Sequence, residues 1–214
     1  MKTFIFGASG HAKEVFWIIK EINKNSEEKI VVEKFVVAEN DPLLGSSHDE
    51  IEIISESEYL EKHTNQLHNC VLAIGSSKIR RIIYEKIASK NTLFPTLIHP
   101  SVIFDRNSIK IEQGVVIEAN VALTTDANIG EFTHINIGST ISHDAKIGSF
   151  VTISPAVHLA GNVTLEENVF LGINATIIER IKICANTVIG AGAVVTKEIN
   201  DCGTYVGIPA VKIK

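Results

Sequence analysis

Residues 111–134 read IEQGVV IEANVA LTTDAN IGEFTH, and every block of six opens on an aliphatic side chain. A period of six fits neither the 3.6-residue turn of an α-helix nor the alternation of a flat strand. It is typical of a short strand and a turn, three of which close one coil of a left-handed parallel β-helix built from hexapeptide repeats. The spacing continues unbroken over fifteen blocks, at Ile111, Ile117, Leu123, Ile129, Ile135, Ile141, Ile147, Ile153, Leu159, Leu165, Leu171, Ile177, Ile183, Ile189 and Val195.

The residues before the repeat alternate between strand and helix patterns. An apolar run at 3–6 leads into Gly7-Ala8-Ser9-Gly10-His11, and apolar residues then recur at helical spacing over 12–22. Glycines at such a turn let the backbone approach a ligand, and the helix start offers N–H groups to an anion. The spacing is GxxG rather than GxGxxG, so it does not imply a dinucleotide, and a tight turn without a ligand is the alternative.

The strand and helix signals continue up to the repeat. A strand region at 30–37 ends at Glu39 and Asn40, which are placed to contact a ribose or base at the carboxyl edge of a parallel sheet. Ser55 precedes a helix at 56–62, and a strand at 69–74 turns at Gly75 into a helix at 78–89. The sequence therefore predicts a Rossmann-like α/β domain over residues 1–97 and the β-helix over residues 98–214.

Composition narrows the class of protein. The formal net charge is −5, no block of Lys or Arg suggests nucleic-acid binding, and no run of 18 apolar residues suggests a membrane span. Cys70, Cys184 and Cys202 lack CxxC spacing, which favours reduced thiols over a disulfide framework or a zinc site. We expect a soluble cytoplasmic protein that needs no metal.

Three histidines lie within the repeat and are candidates for chemistry. His143 is the third residue of its block, faces outward and is followed by Asp144, whose carboxylate can orient the imidazole. Gly161, one coil of 18 residues later, leaves space beside that ring for a ligand. His134 and His158 occupy sixth positions without an adjacent carboxylate, so we interpret them as surface residues.

Several motifs resemble a known family. GASGH at 7–11, AIGSSKIRRIIYEKI at 73–87, ISHDAKIG at 141–148, LAGNVTLEENVFLGINATI at 159–177 and VGIPAVKIK at 206–214 are similar to bacterial hexapeptide-repeat acetyltransferases of the sialic acid O-acetyltransferase type, which act on nucleotide sugars. The resemblance covers almost the whole chain. It implies an acetyl-CoA-dependent N-acetyltransferase for a UDP-linked amino sugar, working in surface glycan synthesis as a homotrimer.

The resemblance also implies site residues. His143 is the expected general base, and Asp144 is expected to raise its basicity. Acetyl-CoA is expected between neighbouring β-helices, against Thr152, Gly161, Ile173, Ala191, Gly192 and, in the C-terminal tail, Lys212. The sugar nucleotide is expected against Ser9, Gly10, His11, Glu39, Asn40 and Gly75. The chain departs from the pattern at Glu39-Asn40, where relatives often carry Asp-Asp, and at Thr152, where some carry a histidine.

Other functions fit parts of the pattern. Acetylation of a sugar hydroxyl is open, because nothing in the repeat separates an amine from a hydroxyl acceptor. A zinc-dependent carbonic anhydrase of the γ type needs histidines at HxxxxH spacing, whereas His134, His143 and His158 are nine and fifteen residues apart. A non-catalytic sugar-nucleotide-binding scaffold is the third alternative, and failure to bind acetyl-CoA would favour it.

Overall fold

The computed structural model describes residues 1–214, and the chain divides into two compact units. The first unit comprises Met1–Pro95 and the second Thr96–Lys214. None of the helices combines the length and the apolar character that a membrane crossing requires.

The first unit is built on one six-stranded sheet. Its strand order is β3-β4-β2-β1-β5-β6, in which only the β3–β4 pair is antiparallel. Strand β1 and its neighbour β5 each end in three buried apolar residues, at 4–6 and 70–72, because both faces of a parallel sheet are covered. The strands are β1 Lys2–Phe6, β2 Val31–Val37, β3 Ser47–His48, β4 Ile51–Ser55, β5 His68–Leu72 and β6 Thr92–Leu93.

Three helices connect these strands, and two begin at a capping serine. Helix α1 spans Gly10–Asn25, α2 spans Glu56–Lys62 and α3 spans Ser77–Ile87. Ser55 Oγ accepts a hydrogen bond from Glu58 N at 3.1 Å, which satisfies one free amide at the start of α2 as the sequence predicts. Strands β3 and β6 are not predicted from the sequence, because two residues are too few to show the alternation of a strand.

The second unit is the predicted left-handed β-helix. Its strands pair in parallel with the strand one coil away, as in the column Val116, His134, Thr152 and Phe170, whose members are 18 residues apart. Three sheets of eight, six and five strands form the faces. The strands of the coils are β7 Leu97–Ile98, β8 Ile103–Phe104, β9 Lys110–Ile111, β10 Val116–Ile117, β11 Ala122–Leu123, β12 Asn128–Ile129, β13 His134–Ile135, β14 Thr140–Ile141, β15 Lys146–Ile147, β16 Thr152–Ile153, β17 His158–Leu159, β18 Thr164–Leu165, β19 Phe170–Leu171, β20 Thr176–Ile177, β21 Lys182–Ile183, β22 Val188–Ile189 and β23 Val194–Val195.

The interior of the coils is filled by the aliphatic residues of the repeat and by a smaller residue two positions before most of them. Fourteen of the fifteen aliphatic positions, Ile117 to Val195, are at most 4% exposed. These smaller residues, such as Val115, Ala127 and Thr133, are also fully buried. Thr133 donates its hydroxyl to Gly148 O at 2.9 Å, so its burial leaves no unpaired hydroxyl. Burying each aliphatic side chain contributes about 1.5–3 kcal/mol, which makes the repeat the main source of stability in this unit.

The corners of the coil share one backbone conformation. Every sixth residue from Gly114 to Gly192 has a positive φ, between 54° and 72°. Glycine, asparagine and aspartate tolerate this left-handed region best, and they hold ten of the fourteen corners. Asp144, with φ of 59°, is one of these corner residues.

Both ends of the β-helix extend beyond the regular repeat. Leu97–Ile98 and Ile103–Phe104 add two strands before Ile111, but a step of seven residues separates Phe104 from Ile111 and hides them from a search for a period of six. After Val195, strands β24 Thr204–Val206 and β25 Val211–Lys212 pair antiparallel and extend the eight-stranded face.

Candidate active site

His143 and Asp144 form a hydrogen-bonded pair at a corner between β14 and β15. His143 Nδ1 lies 2.7 Å from Asp144 Oδ2, and the two side chains are 55% and 53% exposed. An ionised carboxylate only accepts hydrogen bonds, so Nδ1 carries the proton that it donates to Asp144. Nε2 is then the lone-pair nitrogen of the neutral ring, and it points away from the pair as an available proton acceptor.

Gly161 forms the floor beside this imidazole. A Cβ atom added at Gly161 would lie 2.5 Å from both Cε1 and Nε2 of His143, so only glycine leaves the ring in its observed position. The carbonyl oxygen of Gly161 accepts from Arg180 N at 2.9 Å, whereas its N–H donates no hydrogen bond within the chain. A free amide next to a proton acceptor is the arrangement that acyl transfer needs to hold an oxyanion.

The other two histidines of the repeat have different surroundings. The interpretation of His134 as a surface residue is wrong, because it is 1% exposed. Its neighbours on the sheet, Val116 and Thr152, are 1% and 3% exposed, so this whole patch is shielded. His158 is exposed as predicted and its Nδ1 lies 2.9 Å from Thr140 Oγ1, so it has a hydroxyl rather than a carboxylate partner.

Residues expected to contact a thioester substrate lie on adjacent coils. Gly192 N donates to Ile173 O at 2.8 Å, so the coil brings these two positions together. Ile173 is 57% exposed and Ala191 is also exposed, which leaves an apolar side chain and a bare backbone facing outward. Thr152, the remaining expected contact on the coils, is buried.

The C-terminal tail folds back over the last coil. Lys212 Nζ lies 2.6 Å from Asp201 Oδ2, and the hydrogen bond to this carboxylate raises the pKa of Lys212. A cleft of about 340 Å³ lies between Val195–Ile199 and Tyr205–Lys212. Lys212 therefore sits at a cleft of the second unit, with its ammonium held in place.

The first unit has a cleft of about 300 Å³ at the carboxyl ends of its central strands. Parallel α/β sheets bind ligands at this edge. Gly7 lines it at a close approach of two backbone segments, because a Cβ at this position would lie 2.7 Å from Ala73 O. The lining residues are Gly7, Ala8, Ser9, Val36, Val37, Ala38, Asp41, Glu56, Ala73, Ile74, Gly75, Ile79 and Ile83.

Only part of the predicted nucleotide contacts line this cleft. Ser9 and Gly75 line the cleft. Gly10 and His11 lie on the first turn of α1 and do not line it, and neither does Asn40. Glu39 Oε1 accepts from Ser57 N at 2.9 Å, which caps α2, and the hydrogen bonds from Ser57 hold the Glu39 pKa below its usual value.

Three polar residues of this region were missed from the sequence. Asp41 precedes a proline and reads as a turn residue, and Glu56 reads as part of a helix start, yet both line the cleft. Arg80 is fully buried in α3 and its Nη1 donates to Ile74 O at 2.8 Å and to Gly75 O at 3.2 Å. Burial lowers the pKa of Arg80 to about 9. Its two hydrogen bonds stabilise the turn at Ile74 and Gly75, which lines the cleft.

Comparisons with known proteins agree with this two-part architecture. Residues 2–87 match the family described as the PglD N-terminal domain. Residues 101–125 match the hexapeptide repeat of succinyl-transferase, and residues 162–197 match the bacterial transferase hexapeptide of six repeats. GDP-perosamine N-acetyltransferase of Escherichia coli O157:H7 is 32% identical over 194 residues, which are 88% of this chain and 82% of that protein.

Solved structures resemble the chain over nearly its full length. PerB from Caulobacter crescentus, in complex with CoA and GDP-perosamine, has a TM-score of 0.88 and 28% identity, covering 99% of this chain and 96% of its own. Two variants of the Caulobacter protein, with a histidine replaced by alanine or asparagine, also have TM-scores of 0.88. The acetyltransferase domain of PglB from Neisseria gonorrhoeae FA1090, with acetyl coenzyme A, has a TM-score of 0.86 and 27% identity over 99% of this chain and 98% of its own.

Proposed function

The chain belongs to the bacterial hexapeptide-repeat acetyltransferases that act on nucleotide-linked amino sugars, and we propose that it transfers an acetyl group from acetyl-CoA to a sugar amine with His143 as the general base. The observation that carries the proposal is the 2.7 Å pair of His143 and Asp144 above the free amide of Gly161. The solved relatives that hold CoA, acetyl coenzyme A or GDP-perosamine support the assignment of both substrates.

Each residue of the site has a separate role in acyl transfer. His143 Nε2 takes the proton from the sugar amine as that amine attacks the thioester carbonyl, and Asp144 stabilises the imidazolium that forms. The N–H of Gly161 donates to the carbonyl oxygen as negative charge develops there. The imidazolium then returns its proton to the departing thiolate, so the base is regenerated at the end of one turnover.

We assign the remaining contacts to the two units separately. On the β-helix, Ile173 and Ala191 offer exposed apolar groups, Gly192 offers its backbone and Lys212 offers a cation to a CoA molecule, whereas Thr152 is buried. In the first unit, Ser9 and Gly75 line the nucleotide cleft. Gly10 and His11 lie at the start of α1, while Glu39 and Asn40 follow β2. The predicted domains, 1–97 for the nucleotide and 98–214 for acetyl transfer, keep these roles in our proposal.

Two further parts of the proposal concern assembly and location. We propose a homotrimer, because a CoA groove on the flat face of a β-helix needs a second chain as its other wall. We propose a cytoplasmic enzyme because its three cysteines are free and unpaired with one another. Light scattering that finds a stable monomer at micromolar concentration would contradict the shared groove.

The test of function measures thiol release from acetyl-CoA in the presence of GDP- and UDP-linked amino sugars. His143→Ala is expected to lower kcat by about 10²–10⁴ while acetyl-CoA binding persists. Asp144→Asn is expected to lower kcat by a smaller factor, because the shape remains and the charge is lost. Retention of most activity by His143→Ala would overturn the assignment of the base.

The chain offers a matched control one coil earlier. Thr125 Oγ1 donates to Asp126 Oδ2 at 2.7 Å, in the same corner geometry as the catalytic pair. Asp126→Asn removes the same charge from the same scaffold position and is expected to leave kcat unchanged. A hydroxyl analogue of the sugar, assayed beside the amine, decides between N- and O-acetylation.

A further inference from the structure

We propose that the cleft of the first unit selects a guanine base, and that the carboxylate of Asp41 reads the two adjacent donors of that base. This inference rests on the proposed function, since it concerns the nucleotide part of the same substrate. It replaces the uridine that the motif resemblance implies with guanosine.

The walls of the cleft differ in chemistry. One side is formed by Ile74, Ile79 and Ile83, from the end of β5 and from α3, and supplies an apolar surface for a ring. The opposite side carries the only two charged side chains that line the cleft, Asp41 and Glu56, and both are acidic. A base inserted between these walls stacks on the isoleucines and presents its polar edge to carboxylates.

Asp41 is the better placed of the two carboxylates for a ligand. Its Oδ1 accepts from Leu43 N at 2.9 Å, which fixes the direction of the side chain, and no lysine, arginine or histidine is paired with it. Glu56, in contrast, is bound through Oε2 to Lys86 Nζ, which already supplies a donor and neutralises its charge. Asp41 therefore keeps an unneutralised carboxylate with unused acceptor positions at the cleft.

The edges of the two bases favour opposite partners. Guanine presents N1–H and the exocyclic N2 amine side by side, and a carboxylate accepts from both. Uracil presents a single N3–H between two carbonyl oxygens, which a carboxylate repels. Because a well-formed bidentate contact of this kind discriminates by about 1–3 kcal/mol, we expect GDP to bind about 10- to 100-fold more tightly than UDP.

The experiment measures binding of free GDP, IDP and UDP to the full chain by calorimetry. IDP has the ribose, the diphosphate and N1–H of GDP but lacks the N2 amine, so the GDP/IDP affinity ratio isolates one contact. In the unaltered protein this ratio is expected to be about tenfold, and in Asp41→Asn it is expected to fall close to one. Glu61→Gln, which removes one negative charge from an exposed carboxylate of α2 that does not line the cleft, is the control and is expected to keep the ratio near tenfold.

Each other result overturns the inference. Equal affinity for GDP and IDP in the unaltered protein, or tighter binding of UDP, rules out reading of guanine while leaving a nucleotide-sugar acetyltransferase intact. A uniform loss of GDP, IDP and UDP binding in Asp41→Asn assigns the carboxylate to the ribose or to the fold. Failure of all three nucleotides to bind removes the nucleotide cleft, and with it that part of the proposed function.

Discussion

Replacing Gly161 by alanine tests whether the imidazole position limits catalysis. The added Cβ would lie 2.5 Å from His143 Cε1 and Nε2, about 0.9 Å short of the 3.4 Å at which ordinary contact begins. Gly161 belongs to a rigid coil, so we expect the half-exposed ring to move. A displacement of about 1 Å in a reacting group costs about 10²-fold in rate, equivalent to about 2.7 kcal/mol in the activation free energy.

The assay compares kcat for the unaltered enzyme, Gly161→Ala, His143→Ala and the double variant. If Gly161 acts through His143, the double variant is expected to be no slower than His143→Ala alone, because the histidine that it misplaces is already gone. Circular dichroism and light scattering check that the fold and the oligomer persist. Full activity of Gly161→Ala, or multiplicative losses in the double variant, would refute the positioning argument.

Three further outcomes follow from other parts of the chain. A Cβ added at Gly10 would meet no atom of another part of the chain within 4 Å, so Gly10→Val is expected to keep the fold. Because its side chain would crowd the helix start that is expected to approach the nucleotide, it should raise KM for the sugar nucleotide several-fold without changing KM for acetyl-CoA; an equal rise in both would contradict this. Arg80→Met is expected to lower the free energy of unfolding in urea by about 2–4 kcal/mol, because two charged hydrogen bonds to the turn at Gly75 are lost, whereas Arg80→Lys is expected to lose less. Cys202, which is exposed, is expected to react with iodoacetamide in the native protein, while Cys70, whose pKa burial raises to about 12, is expected to react only after unfolding; peptide mapping that finds native Cys70 labelled would disprove this.

The fold could be predicted because a period of six has few physical solutions. Fifteen aliphatic side chains at one fixed spacing must all be buried on the same side of the backbone. A triangular coil with a closed interior places them there. The seven-residue step between Phe104 and Ile111 could not be predicted, since a single insertion at a corner leaves no periodic trace. The strands at 47–48 and 92–93 were missed for a related reason, because two residues cannot show an alternation.

In the first unit, the turns of the site can be predicted from the sequence, but the side chains that face a ligand cannot. The glycine turns at Gly7 and Gly75, which line the cleft, can be predicted because glycine at a strand end signals close backbone approach. Whether Glu39 or Asp41 faces a ligand depends on which side chain caps α2, and that is decided by a tertiary contact to Ser57. A buried arginine such as Arg80 is equally unpredictable, because its carbonyl partners belong to a turn and make no sequence pattern.

The catalytic pair itself follows from the corner conformation of the repeat. Neighbouring side chains on a strand point to opposite faces, so an adjacent His and Asp cannot meet there. At a corner the left-handed residue turns the chain, and its carboxylate can reach the side chain just before it. The pair Thr125 and Asp126 makes the same contact at 2.7 Å one coil earlier. The scaffold thus supplies the geometry at successive coils, and the placement of a histidine at 143 with a glycine at 161 makes one of these corners able to transfer a proton.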